Sequence, residues 1–290
     1  MSTATIASQP PPVASQPPPA VEADPEVAAG VRRYIYCITD CSEPTAFGPL
    51  GLGNDSEVFA IPHEGISVVV SRTPTEKFEI SRVNTLAHQQ VMEAVMERGY
   101  TVLPVRFDTI AEDKPDGSVD AESRIYNHVL EKRGDEFNGL LARFRDVVEL
   151  GVKGLWPDIN AVFAEIVDRH TEIRQLRKRI LDGKSGGSHG MPPKARLGEL
   201  VKKALDAKKN AAETELMNHL AETIVDSRKN KTFGDPMFAN LALLVEKSRE
   251  DDFAAALSAF EDERAGRVRL KFVGPMPPCN FIEVVITWDD

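Results

Sequence analysis

The chain has 290 residues, with 35 Lys+Arg against 45 Asp+Glu and a net charge of −10. No apolar run approaches the ~20 residues of a membrane span. Three cysteines (Cys37, Cys41, Cys279) are too few for a disulfide scaffold or a four-ligand zinc site, and the net acidity argues against a nucleic-acid binder. The expectation is a soluble, reduced, cytoplasmic protein.

Residues 1–31 hold seven prolines and no Lys or Arg, and SQPPP occurs twice, at Ser8–Pro12 and Ser15–Pro19. Such a segment buries too little apolar surface to offset its ordering entropy, which predicts a disordered arm. It lacks the basic and apolar regions of a signal peptide. The rest of the chain is long enough for two domains.

From Arg33 the texture becomes globular. Tyr34–Ile38 reads as a strand. Glu57–Ile61 and Ile66–Ser71 flank the turn-type spacer Pro62-His63-Glu64-Gly65 and read as a hairpin. Ser81 is placed to cap a helix that ends at Gly99, with Val83, Leu86, Ala87, Val91, Ala94 and Val95 on its core face. Thr101–Phe107 reads as a strand whose internal Pro104 belongs at an edge or bulge. A second helix fits Val119–Arg133 and runs on toward Phe144, with a break at Gly134.

The second half opens on a strand at Asp146–Gly151. From Pro157, Ile159, Ile166, Ile173 and Ile180 repeat every seven residues, a coiled-coil-like seam along one long helix. A Gly-rich turn at Asp182–Pro193 leads to a second long helix, about Lys194 to Arg228, with small apolar residues such as Ala204, Ala207 and Ala211. The pair reads as an antiparallel helical hairpin. Strand Met237–Glu246, helix Ser248–Arg264 and strands Arg267–Val273 and Phe281–Trp288 follow. The fold class is α+β, with two small domains of ferredoxin-like style. They divide as 32–145 and 146–290, the second carrying the hairpin at about 157–228.

Motifs of catalysis are missing. Gly183-Lys184-Ser185 resembles the end of a phosphate loop, but Lys178 stands where the motif needs glycine. The six histidines include no i,i+4 pair, and no GxSxG places a nucleophile. No catalytic, cofactor-binding or metal-ligating residue is predicted. Charge is more informative. Residues 157–231 hold 15 Lys+Arg and 11 Asp+Glu, a net of +4, which leaves −14 for the rest. Lys202, Lys203, Lys208 and Lys209 are therefore candidate partner-docking charges, set against the plainer reading of a solvated helix face.

Two strings are distinctive. The first is Val102-Leu103-Pro104-Val105-Arg106-Phe107, preceded by a helix carrying Leu86-Ala87-His88-Gln89-Gln90-Val91-Met92. The second is Gly274-Pro275-Met276-Pro277-Pro278-Cys279-Asn280-Phe281. In this order, and with Tyr34-Ile35-Tyr36 and the long helical pair, they resemble the gas vesicle GvpF/GvpL family over about Arg33 to Trp288. Asp108 stands where that family commonly has Gly, and Cys279 replaces its usual Tyr. The resemblance implies a minor, non-enzymatic gas vesicle component or assembly factor without a cofactor. It would bind the shell protein GvpA, and further accessory Gvp proteins, in the cytoplasm and at the vesicle.

In the first string, strand alternation puts Leu103, Val105 and Phe107 on one face and Arg106 on the other. Pro275, Pro277 and Pro278 restrict φ and stiffen a turn. Two rivals are a small-ligand enzyme on a ferredoxin-like scaffold and, less favoured, a nucleic-acid module using the basic hairpin.

Overall fold

The computed structural model describes residues 32–53, 55–114, 116–183 and 191–288. The expected Pro-rich arm and the middle of the expected hairpin turn, 184–190, lie outside the described residues. The architecture is mixed helix and sheet, built on two antiparallel sheets.

The first sheet uses β1 (Arg32–Thr39), β2 (Ala46–Gly48), β3 (Val58–His63), β4 (Ile66–Thr73) and β5 (Val102–Pro104), in the order β2-β3-β4-β1-β5. A short β6 (Ile110–Ala111) also pairs with β1. The β-branched runs of β1 and β4 pair along their whole length, and a bulge falls between Ile35 and Cys37. Tyr34, Tyr36 and Cys37 consequently share the face that α1 (Arg82–Glu97) covers. Ile35, Val68, Val70, Leu103 and Val105 occupy the opposite face. There they pack against α2 (Ala121–Ile125) and α3 (Glu131–Phe144), joined by a π-helical turn at Tyr126–Leu130.

Two expectations change here. Gly134 lies inside α3 and breaks nothing; the irregularity is the π turn one helical turn earlier. The core stripe of α1 is His88, Val91, Met92 and Val95. Val83 and Leu86, expected in the core, are 76% and 47% exposed, because the first turns of α1 precede the stretch that packs on the sheet.

The second sheet has the order β10-β7-β9-β8, from β7 (Val147–Leu155), β8 (Asp226–Lys229), β9 (Met237–Glu246) and β10 (Arg269–Met276). Val148, Leu150 and Val152 of β7 face Val245, Leu243 and Leu241 of β9 across the ladder, and this apolar face is covered by helices. The helices are α4 (Ile159–Arg169), α5 (Thr171–Leu181), α6 (Pro193–Leu220) and α7 (Glu250–Asp262).

The expected first long helix is two. His170 takes an extended conformation (φ −107, ψ 101) between α4 and α5, and the Arg174 guanidinium donates to the Asp168 carbonyl that the break leaves free. Ile166 and Ile173 of the heptad series are buried on either side of the break. The second long helix ends at Leu220, and Asp226–Arg228, expected at its end, belongs to strand β8, which pairs with β9.

The last segment departs most from expectation. Phe281–Trp288 is not a strand of the second sheet. Val284 makes a parallel bridge to Val105 at the open edge of β5. The Val284 N–H donates to the Pro104 carbonyl at 2.8 Å, and the Arg106 N–H donates to the Val284 carbonyl at 2.9 Å. Val284 joins the core beneath α3, with Phe281, Ile282, Ile286 and Trp288 packed around it. Leu244, from the second sheet, belongs to the same cluster, so one apolar core spans both halves.

Candidate functional site

The two distinctive strings meet at this junction. Leu103 and Val105 are buried against Phe137, Leu141 and Phe144 of α3. Arg106 is half exposed and pairs with Glu283 at 3.0 Å, an ordinary surface ion pair worth about 0–1 kcal/mol. Phe107 does not share the face of Leu103 and Val105. β5 ends at Pro104, the chain turns, and Phe107 packs on the other side of the sheet against Tyr34 and His88. Strand alternation holds only while the strand continues.

Asp108 takes a left-handed conformation (φ 63) in that turn. The region suits Gly, and Asp is one of the few other residues that visit it. Here Asp108 Oδ1 accepts the Phe78 N–H at 2.7 Å, and the Asp108 N–H donates to Tyr34 Oη at 3.1 Å. Tyr34 in turn lies 3.0 Å from His88 Nδ1, and the His88 ring also bonds the Val105 carbonyl. His88, from the first string's preceding helix, is thereby tied to the strand it precedes. Burial lowers its pKa to about 4, so it is neutral at pH 7.

The second string is shaped by β7. Gly274 has φ +130, and a Cβ there would stand 3.0 Å from both the Glu149 carbonyl and Leu150 Cδ2. Only glycine fits this close approach. Pro277 and Pro278 are buried, and Asn280 follows. The Asn280 backbone N–H donates to Glu149 Oε2 at 2.9 Å, and its amide donates to Oε1. Glu149 is 1% exposed, and its pKa is raised because burial outweighs these two bonds.

A scan against family models matches the description "Gas vesicle synthesis protein GvpL/GvpF" over residues 32–283, both strings included. The chain belongs to the GvpL/GvpF family. Gas vesicle protein L1 of Halobacterium salinarum is 29% identical over 271 residues, covering 86% of this chain and 89% of that protein. Gas vesicle protein F of a Streptomyces species is 29% identical over 252 residues, covering 86% and 99%. The crystal structure of GvpF from an Anabaena species shares the fold, with a TM-score of 0.71 at 21% identity over 88% of this chain and 99% of that one. GvpF from Microcystis aeruginosa does so with a TM-score of 0.68 at 21% identity, covering 87% and 98%. As a member of a gas vesicle protein family, the chain is a gas vesicle component.

The four lysines singled out from the sequence of this GvpL/GvpF protein divide into two pairs. Lys208 forms an ion pair with Glu165 at 2.8 Å, and Lys209 donates to the Gly234 carbonyl at 2.7 Å. Both are spent within the fold. Lys202 and Lys203 stay exposed on α6.

Sequence reasoning passed over Glu149 and Glu283, and it quoted Asn280 in the second string without a role. Glu149 had a signal: one carboxylate inside the apolar run Val147-Val148-Glu149-Leu150. Among the described residues, no group of three or more His, Cys, Asp or Glu is arranged to hold a metal. A cleft of about 570 Å3 lies between the halves, walled by Glu93, Met96, Tyr100, Glu250, Pro275 and Met276. Its polar lining is Gln89, Glu93, Glu97, Tyr100, Lys247 and Glu250. No helix among the described residues is long and apolar enough to cross a membrane.

Proposed function

We propose that this protein binds the shell protein GvpA and helps nucleate or assemble the gas vesicle shell, with no covalent chemistry and no cofactor. The observation that carries this reading is the family match over residues 32–283, which takes in nearly the whole described chain. Capture rests on shape, apolar contact and charge. Uncovered apolar residues at the start of α1 favour the apolar part: Ile80, just before the Ser81 cap, is 89% exposed, and Val83 and Leu86 follow in the first turns. Lys202 and Lys203 supply the charge, and Lys208 and Lys209 fix the helix that presents them. Leu103, Pro104, Val105, Arg106 and Phe107, with Gly274, Pro275, Pro277, Pro278 and Phe281, hold the platform together. Other accessory Gvp proteins are further partners, and the place of action is the cytoplasm and the growing vesicle.

The same reading sets a boundary near residue 145. The βαββαβ order of the second sheet favours a ferredoxin-like half, with α4–α5 and α6 as its hairpin.

The test is co-expression of the full chain with GvpA. The expected result is co-purification, with GvpA held in the soluble fraction. The triple change Ile80→Ser, Val83→Ser, Leu86→Ser should lose capture at an unchanged melting temperature. Failure of the unaltered chain either to bind GvpA or to keep it soluble would overturn the reading.

A further inference from the structure

The face of the second sheet away from the helices is only partly covered. Near Glu149 it meets the C-terminal segment. Farther along, Lys153 of β7 stands directly opposite Lys271 of β10, with Arg269 two residues on along the same face. All three are exposed. None has an ion pair or a side-chain hydrogen bond among the described residues.

Like charges directly opposite across a ladder are destabilising. Lysine on an edge strand is an ordinary guard against strand pairing, which accounts for Arg269 and Lys271 on β10. It does not account for Lys153, because β7 is an interior strand with β10 and β9 on its two sides. On the other flank Lys153 faces Asn240, whose amide bonds the Lys231 carbonyl. The acidic residue on the same face of β7 is Glu149, and both its oxygens are taken by Asn280. Arg228 of β8 already pairs with Asp226. Among the described residues, a chain with ten more acidic than basic residues thus leaves three adjacent cations uncompensated.

We infer that the Lys153–Lys271–Arg269 row is a docking face for an acidic segment of a partner protein. The complementarity is one of charge and spacing. Directly opposed residues lie about 5 Å apart at Cβ and residues i and i+2 of a strand about 7 Å apart. Carboxylates four apart on a helix, about 5–6 Å between Cβ atoms, match that spacing. Val273, half exposed on the same face, adds an apolar contact at the end of the row. The row lies on the face of the sheet, and on the edge beside it Glu261 Oε2 already takes one outward N–H, that of Leu270, at 3.0 Å. This site is separate from the apolar residues at the start of α1 assigned to GvpA, and its test does not involve GvpA.

Binding of a fluorescent poly-L-glutamate peptide to the full chain is measured by anisotropy at low ionic strength. The K153A/R269A/K271A variant is expected to bind about tenfold or more weakly, and added salt to abolish the difference. A control removing three exposed lysines elsewhere, K77A/K132A/K194A, should change affinity less than about twofold. The melting temperature of the row variant should hold or rise, since no favourable partner is lost. Equal weakening by both variants, or no peptide binding by the unaltered chain, overturns the inference. So does row-dependent capture of duplex DNA or phosphatidylserine vesicles without the peptide, or a row-dependent dimer of the chain itself at low salt.

Discussion

The two sheets share antiparallel pairing and a β-branched core, yet they are finished differently. The first is closed on both faces by helices, and its edge at β5 is capped by one residue from the far end of the chain. The second has helices on one face only, and the other receives the C-terminal segment at one end. The difference assigns distinct work to the two distinctive strings. The first ties a helix to a sheet within one half. The second passes beneath β7, delivers Asn280 to Glu149, and carries Val284 to the first sheet.

Removing the second string's follow-through should have the largest effect. Truncation after Met276 exposes Leu244 and the β5 edge together and withdraws several apolar side chains. At roughly 1.5–3 kcal/mol for each fully buried one, the loss is about 5 kcal/mol or more. Urea unfolding should then show the two halves melting separately, whereas one unaltered transition would break the comparison. Leu103→Ala acts inside the first half and should cost about 2–5 kcal/mol by leaving a cavity under α3. The same urea curves measure it, with a single transition retained.

Two buried titratable groups, His88 and Glu149, sharpen the contrast through pH. His88 has a folded pKa of about 4 against an ordinary 6.5, so the unfolded chain binds the extra proton between those values. Its contribution is present above pH 6.5 and is lost on acidification toward pH 4, about 3 kcal/mol in all. Glu149 runs the other way: its raised pKa favours the folded state at low pH and costs stability once the group ionises. Stability measured from pH 7.5 down to 4.5 should fall, and His88→Gln should flatten that slope while Glu149→Gln steepens it. The smallest effect belongs to Arg106→Ala. It should cost no more than about 1 kcal/mol, because both partners of its ion pair are half exposed.

Much of this was legible in the sequence, for identifiable reasons. β3, β4 and β9 were readable because their apolar runs end at turn residues or charges. Pro104 belonged at an edge because it has no N–H to give. What escaped was non-local. The alternation that put Phe107 beside Val105 failed where β5 stops. The heptad of α4 and α5 concealed a break at His170, since hydrophobic spacing continues across it. Val83 and Leu86 fit a helix face, but how far that helix reaches along the sheet is a tertiary fact. Nothing local marks Val284 as the neighbour of Val105.

That pairing has a consequence for synthesis on the ribosome. Arg106 and Glu283 are 177 residues apart, and at about 5–20 residues per second the second follows the first by roughly 10–35 s. Once α3 has followed, the nascent chain presents an uncapped β5 edge with most of the first sheet's core behind it. A chaperone that shields strand edges during translation would have its opportunity there, and a stalled chain would keep that edge open.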